Sequence, residues 1–213
     1  MTQSETDPAA KTKHHHGNLR AALVQAGIDL LEQGGMKALS LRKCAALAGV
    51  SHAAPAHHFA GLDGLKAAIA QEAFQRFSHF MRQAADQGDQ SDRERLKSIC
   101  RGYLQFGLTH PALLQMIFGT APADMPRAVS SEDNQGSDAY QILRDSCAPF
   151  VPPGSDPQVL EGQVWSLIHG FTLLCLSGQF GPLEDPDRTA AYLDQLLGLL
   201  DHLTPPGPVP PPS

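Results

Sequence analysis

Residues 40–60 carry side chains that could bind nucleic acid. They read SLRKCAALAGVSHAAPAHHFA, where serine hydroxyls, an arginine and three histidines stand among small residues. Guanidinium groups donate hydrogen bonds to phosphates, and imidazole can bond either a phosphate or a base edge. Small neighbours would let a helix with these groups lie close to the floor of a groove. The pattern indicates DNA binding, with an ordinary helical hairpin of a bundle as the alternative.

Two short helices, residues 41–48 and 52–58, are predicted to present these groups as a helix-turn-helix. Ala45 is small enough for the two helices to cross closely, and Gly49 allows the turn between them a positive φ. Ser51 is the predicted N-cap of the second helix, because its hydroxyl can accept a free backbone N–H.

The charge distribution agrees with this assignment. The net charge is −6, but residues 10–66 hold seven Lys and Arg against three Asp and Glu, a net charge of +4. The rest of the chain carries −10, and six of the ten histidines lie in the basic segment. Attraction to phosphate is therefore expected from the N-terminal part.

Length and periodicity predict an all-α chain of two domains. With 213 residues and 42% hydrophobic content, the chain can bury one core or join a small domain to a larger one, and we expect the second. We predict a flexible arm over residues 1–17 and a helix-turn-helix DNA-binding domain over 18–62. A helical regulatory and dimerisation domain over 63–203 and a disordered proline-rich tail over 204–213 follow.

Outside the motif, apolar spacing predicts helices and one long loop. The helices cover about residues 19–33, 62–87, 92–109, 112–118, 137–148, 158–180 and 187–203, and residues 119–136 form the loop. The helix QVLEGQVWSLIHGFTLLCLSGQF, residues 158–180, is apolar on nearly every side. Such a helix must be covered all round, so we expect it to form half of a four-helix dimer interface with the last helix.

Several other classes of protein find no support. The four cysteines are far apart, with no Cys-x-x-Cys pair, so buried reduced thiols are expected, although Cys44 and Cys175 could sense oxidants. No carboxylate or thiol stands at metal-ligand spacing from the histidines at 14–16 or from His57 and His58. We therefore predict no metal and no cofactor. No phosphate loop, nucleophile elbow or His-x-x-x-His spacing occurs, so we expect no enzyme. No apolar leader and no run of about 18 apolar residues is present, and we expect a cytoplasmic protein.

Three separated segments resemble the TetR family of transcriptional regulators, in particular a subgroup with a Trp-His-Gly signature. HHGNLRAALVQAGIDLLEQGG (residues 15–35) resembles the family's first helix, and SLRKCAALAGVSHAAPAHHF (40–59) its DNA-reading unit. WSLIHG (165–170) resembles the C-terminal signature. The resemblance implies a homodimer that binds a pseudo-palindromic operator on double-stranded DNA, released by a small-molecule effector. A regulator of this kind is usually a repressor.

The resemblance also implies individual contacts. Ser40 and Arg42 match positions that contact phosphate. Positions facing bases or backbone in the family are matched by Ser51, His52, Ala53, Ala54, His57 and His58. Two departures remove polar contacts, because Ala56 stands where the family commonly has tyrosine and Leu62 where it commonly has lysine. A helical dimerisation or adaptor protein with weak or lost DNA binding is therefore the alternative function.

Trp165 and His169 stand one helical turn apart, so they share a face, and Gly170 permits close approach of another helix. They could pack in the core or line an effector cavity, and both interpretations stay open. The apolar candidates for the same cavity are Tyr103, Phe106, Met116, Phe118 and Phe171. Few charged residues interrupt these faces, so the effector is expected to be neutral or largely hydrophobic.

Overall fold

The computed structural model describes residues 19–87, 91–119, 138–180 and 186–205. The predicted N-terminal arm, nearly all of the predicted loop at 119–136, and residues 206–213 of the predicted tail lie outside the described residues. Every regular element in the described ranges is helical, which confirms the all-α fold. The chain divides into two compact units, one ending at Ala70 and the other beginning at Gln71.

The first unit contains α1 (Leu19–Gly34), α2 (Leu41–Leu47) and the start of α3 (Gly61–Gln87). Two short 3₁₀ segments, Met36–Ala38 and Ala54–His57, lie between them. The side chains that fill its core are fully or almost fully buried and come from all three helices: Leu23, Ile28, Leu31, Cys44, Ala45, Leu65 and Ile69.

Gly49 ends α2 in the predicted way. Its φ of 70° is left-handed, a region that favours glycine because it has no Cβ. The Val50 N–H donates to the Ala45 carbonyl at 3.0 Å, and the Gly49 N–H donates to the Ala46 carbonyl at 3.2 Å. This pair of bonds is a Schellman motif, which satisfies carbonyls that the helix end would leave free.

The predicted second motif helix, residues 52–58, is wrong in type. Only Ala54–His57 are helical, and they form a single 3₁₀ turn. Pro55 gives the physical reason, because it has no backbone N–H and its ring disfavours the α conformation at the preceding residue. Gly61, with a φ of 71°, then separates this turn from α3.

The predicted cap at Ser51 is also wrong. The backbone carbonyl of Ser51 accepts the Ala54 N–H at 3.0 Å. The residue that precedes the 3₁₀ turn is Ala53, which has no side chain able to cap it. The true side-chain cap of this region is Ser40, whose Oγ accepts the Lys43 N–H at 3.2 Å and starts α2.

The second unit is built from the rest of α3 and five further helices: α4 (Asp92–Thr109), α5 (Pro111–Phe118), α6 (Asp138–Cys147), α7 (Pro157–Leu176) and α8 (Pro186–Leu197). Helix α4 packs against α5, α6 and α7. Gly102 lets it approach α3, since a Cβ there would lie 2.6 Å from the Phe80 carbonyl oxygen. The last predicted helix is α-helical only to Leu197 and continues as a 3₁₀ segment, Gly198–His202.

Helix α7 has one buried face and one uncovered face. Its buried side chains are Leu160, Glu161, Val164, Ile168, Phe171, Thr172 and Cys175, which recur at helical spacing. Val159, Leu173 and Leu174 on the opposite side are 59%, 47% and 45% exposed. By length and composition α7 could cross a membrane, with a mean hydropathy of 1.3. Its buried face packs against α4 and α6.

Candidate DNA interface and effector cavity

The polar groups of residues 40–43 surround the start of α2. Ser40 is half-buried, because its hydroxyl caps the helix, whereas Arg42 and Lys43 are exposed. Among the described residues, no carboxylate lies within ion-pair distance of either cation. Within the described part of the chain, two positive charges without an acidic partner therefore stand at the start of α2.

The segment 51–58 presents most of its predicted contact residues to solvent. The exposed ones are Ser51, His52, Ala53, His57 and His58, together with Ala56, while Ala54 is half-buried. Pro55 and Phe59 point inward, and Phe59 is only 6% exposed. The Arg20 guanidinium lies 5.5 Å from the centroid of the Phe59 ring. The turn is thus fixed by apolar residues on one side and carries imidazoles on the other.

The position expected to hold a phosphate-binding lysine, Leu62, is half-buried. Lys66, one turn further along α3, pairs with Asp63 at 2.9 Å. Asp63 offsets the charge of Lys66. Lys66 therefore replaces only in part the phosphate-binding lysine that the family commonly has at the position of Leu62.

The second unit contains a partly open cavity between α3, α4, α6 and α7, with Phe118 at the end of α5 also on its wall. Its volume is about 50 Å³. Six aromatic side chains line it: Phe74, Phe77, Tyr103, Phe118, Tyr140 and Trp165. The remaining walls are small or aliphatic side chains and one thiol: Met81, Ile99, Cys100, Ala139, Leu143, Val164 and Ile168.

Three of the seven predicted cavity residues, Tyr103, Phe118 and Trp165, line this cavity. His169 lies next to it, with its ring 5.6 Å from that of Phe118. Three others lie elsewhere in the core: Phe106 is fully buried against Phe77 and Phe80, Met116 is buried in α5, and Phe171 packs on Phe180. Trp165 and His169 share a face, as their spacing predicts, and both contact Phe118.

Sequence reasoning missed the contribution of α6. Ala139, Tyr140 and Leu143 from this helix line the cavity, and their i, i+1, i+4 spacing marks the helix face that turns inward. The two α3 phenylalanines, Phe74 and Phe77, carry the ordinary signal of an apolar stripe, which does not separate core from cavity.

The polar groups at the cavity are bonded to other parts of the protein. The Tyr103 hydroxyl lies 2.7 Å from Nδ1 of His169, and the Tyr140 hydroxyl donates to Oε2 of Glu161 at 2.6 Å. Burial lowers the pKa of His169 and raises that of Tyr103, because both charged forms lose their hydration. The hydrogen bond to Glu161 raises the pKa of Tyr140 to about 12. Tyr103 and Tyr140 are therefore neutral at pH 7.

The cysteines behave as packing residues. All four are buried and none is in a disulfide. Burial raises the pKa of the Cys100 and Cys147 thiols to about 12 and raises those of Cys44 and Cys175 as well. A thiol held in its protonated form is a poor nucleophile, which argues against oxidant sensing. In the described part of the chain, no group of three His, Cys, Asp or Glu could hold a metal ion.

Comparison with known proteins finds one family model and several solved structures that resemble this chain. Residues 96–197 match the family described as tetracyclin repressor-like, C-terminal domain. A solved structure of a protein with unknown function from Rhodococcus sp. RHA1 is 27% identical, with a TM-score of 0.67 over 88% of this chain and 98% of that one. No curated protein matches the sequence.

Two further solved structures share the fold at lower identity. A TetR family transcription regulator from Marinobacter aquaeolei VT8 is 18% identical, with a TM-score of 0.63 over 86% of this chain and 94% of that one. The transcriptional regulator FadR from Bacillus subtilis, in complex with stearoyl-CoA, is 14% identical, with a TM-score of 0.66 over 86% of this chain and 98% of that one.

These likenesses define an all-α protein with a helix-turn-helix unit and a larger helical unit. Residues 96–197 form a tetracyclin repressor-like C-terminal domain, and the chain has the fold of TetR-family transcription regulators. The assignment to a Trp-His-Gly subgroup stays a prediction.

Proposed function

We propose that this protein is a DNA-binding transcriptional regulator of the TetR type, acting as a repressor that a small molecule releases from its operator. The observation that carries the proposal is the exposed row of His52, His57 and His58 on a turn anchored by buried Pro55 and Phe59. Solvent-facing imidazoles on an apolar anchor contribute nothing to the core. They are available to phosphates and base edges.

The contacts divide between backbone and bases. Ser40 and Arg42 bind phosphate at the start of α2. Ser51, His52, Ala53, Ala54, His57 and His58 face the groove, where alanine methyls can touch thymine methyls. Because the turn is a short 3₁₀ segment, it reaches fewer bases than a full helix would. Ala56 and Leu62 provide no polar contact, so phosphate binding depends mainly on Arg42, Lys43 and the imidazoles.

A homodimer would place two such turns on one duplex. The uncovered face of α7 supports it: three exposed apolar side chains follow one side, and a Cβ at Gly162 or Gly170 would meet no atom of the described chain within 4 Å. Leu199, beyond α8, is 58% exposed. Burying these groups against a second copy removes apolar surface from water, at roughly 25 cal/mol per Å². The partner helix would cross α7 near Gly162 and Gly170, where the absence of a side chain allows the closest approach.

The cavity supports the effector role. Ligand sites in helical proteins form between helices and are lined by apolar and aromatic side chains with few polar groups, as here. FadR, which shares the fold, binds stearoyl-CoA in its solved structure. We infer that an effector of this protein occupies the same unit, and that the protein works in the cytoplasm without a cofactor.

The test is titration of the protein onto random-sequence duplex DNA at two salt concentrations. A regulator with several phosphate contacts should bind at low salt and weaken steeply as salt rises, because bound counterions are released on binding. The second candidate, an adaptor that kept the fold, is favoured by Ala56 and Leu62. It predicts no salt-sensitive binding at any protein concentration that keeps the dimer intact.

A further inference from the structure

Phe118, the last residue of α5, lies at the centre of an aromatic cluster on the cavity wall. Five rings surround it with centroid separations from 5.5 to 6.1 Å, and they belong to Phe74, Phe77, Tyr103, Trp165 and His169. Four of them meet the Phe118 ring at interplanar angles from 63° to 85°, and Tyr103 lies nearly parallel at 21°.

This arrangement is specific for a flat ring. Aromatic pairs prefer edge-to-face or offset-stacked contacts at these separations, because the ring face is electron-rich and the ring edge electron-poor. The side chains from α3, α4 and α7 therefore form a holder for an aromatic ring, which Phe118 occupies from α5. An aliphatic chain in the same place would keep the dispersion contacts and lose the quadrupole contacts.

The surroundings also exclude charge. Among the described residues, no charged side chain lines the cavity, and the hydroxyls of Tyr103 and Tyr140 are engaged with His169 and Glu161. Glu161 is 4% exposed, and Arg144 approaches it only to 4.0 Å from a position open to solvent. The buried carboxylate of Glu161 behind Tyr140 opposes the entry of an anion, and no cationic side chain of the described residues lines the cavity to bind one.

Size decides how a ring could enter. A cavity that encloses benzene measures about 150 Å³ in a well-studied engineered case from another protein. The space here is about 50 Å³, roughly a third of that. A ring-sized molecule therefore fits only if a lining side chain moves aside. Phe118 is the candidate, because it is half-buried and ends its helix, whereas Phe77 and Tyr103 are buried within theirs.

We propose that the cavity takes a compact, uncharged aromatic molecule whose ring replaces the Phe118 side chain in this holder. The inference rests on the proposed function in treating this cavity as the effector site, and it narrows the effector to one chemical class. The described lining disfavours anionic aromatics through charge, and its edge-to-face ring contacts favour a flat ring over a flexible acyl chain.

Trp165 makes the test direct, because it is the only tryptophan in the chain and lines the cavity. The purified protein, without DNA, is titrated with toluene while tryptophan fluorescence is recorded. Benzoate tests the effect of charge on the same ring, and n-hexane tests a flexible chain of similar size. Toluene should give a saturable change, and any change with benzoate or n-hexane should need at least ten times the concentration.

Phe118→Ala should bind toluene at least ten times more tightly than the natural protein, since the ring no longer has to be displaced. Phe118→Leu is the second variant in case the alanine variant unfolds, with circular dichroism as the check, and it should also bind more tightly. Phe180→Leu is the matched control, because Phe180 is a half-buried aromatic residue outside the cavity. It should leave the toluene affinity unchanged.

Two results would overturn the inference: benzoate or n-hexane binding as well as toluene does, or no gain in toluene affinity in a folded Phe118 variant. Because no DNA is present, a failure here is separate from a failure of DNA binding. Toluene binding that leaves a protein–DNA complex intact would confirm the ligand class and contradict the effector role of the cavity.

Discussion

The hydroxyl of Tyr103 lies 2.7 Å from Nδ1 of His169 and joins α4 to α7. Burial lowers the pKa of His169, and the tautomer of its imidazole sets which of the two groups donates in this hydrogen bond. Both residues also contact the Phe118 ring. This one bond therefore links α4 to α7 at the edge of the cavity. It joins two of the side chains against which the Phe118 ring packs.

Replacing Tyr103 with phenylalanine should lower the free energy of unfolding by about 1–2 kcal/mol, because Nδ1 of the half-buried His169 loses its hydrogen-bond partner. Urea unfolding followed by circular dichroism measures the change. Tyr192→Phe removes a hydroxyl that accepts a long hydrogen bond of 3.3 Å from exposed Arg188, and it should change stability by less than about 0.5 kcal/mol. Equal losses in the two variants would show that the bond to His169 is not stabilising.

His169 should also make stability depend on pH. Its pKa in the folded protein lies below the ordinary value of 6.5, so the unfolded chain takes up the proton first. The contribution is complete above pH 6.5 and is lost as pH falls from 6.5 through the lower folded pKa. In unfolding measurements from pH 7.5 to 5, the His169→Gln variant should lose less stability than the natural protein. His79→Gln, at an exposed position of α3, is the control for removing one histidine, and parallel curves for all three proteins would contradict the assignment.

Arg93 should hold the C-terminal segment against α4. Its guanidinium donates to the carbonyls of Leu200, Asp201 and Leu203, and lies 5.7 Å from the centroid of the Phe150 ring. Arg93→Ala leaves these carbonyls without their cationic donor, and we expect a loss of about 2 kcal/mol in thermal or urea unfolding. The neighbouring Arg95 is exposed, so Arg95→Ala is the matched control. A loss of the same size in both would mean that charge alone, not the capping geometry, matters.

Arg42→Ala and His57→Ala should each weaken binding to duplex DNA by about tenfold, and Arg42→Ala should also reduce the slope of affinity against salt by about one unit. Fluorescence anisotropy with a labelled duplex measures both quantities. Arg95→Ala removes the same charge from the second unit and is expected to leave the affinity within about twofold. If a variant dissociates the dimer or unfolds, its side chain belongs to the core rather than to the contact surface.

Leu173→Glu should dissociate the dimer, because two copies would bring carboxylates together on an apolar helix face. The leucine is 47% exposed within the chain, so the folded subunit should survive the change. Sedimentation equilibrium gives the association state, and Gln105→Glu at an exposed position of α4 adds the same charge elsewhere. A Leu173→Glu variant that stays dimeric would place the interface on another surface.

Local signals in the sequence determined most helix ends. Ser91, which caps α4, and Pro111, which opens α5, bracket a helix predicted at 92–109 and found at Asp92–Thr109. Gly49 ends α2 for the same kind of reason, since it alone accepts the left-handed backbone that the turn requires. Each of these signals depends on one or two residues and their own backbone bonds, and such rules act within a few residues of chain.

At the 3₁₀ turn Ala54–His57, the local effect of Pro55 conflicts with the helix that the motif predicted. Pro55 removes a backbone N–H that an α-helix beginning at residue 52 would use in its first intrahelical bond. The helix-turn-helix motif predicted a helix over residues 52–58, but the structure forms a 3₁₀ turn that contains the proline. The exposure of the three histidines follows from the turn being anchored at Pro55 and Phe59.

The sequence by itself determined that Tyr103 and Phe106 both lie on an inward stripe of α4, because three residues nearly complete one helical turn. Only the tertiary structure decided that Tyr103 borders a cavity and Phe106 is packed solid against Phe77 and Phe80. The physical reason is that a cavity is the space left where α3, α4, α6 and α7 fail to meet. Its position depends on how the helices cross, which no spacing within a single helix specifies.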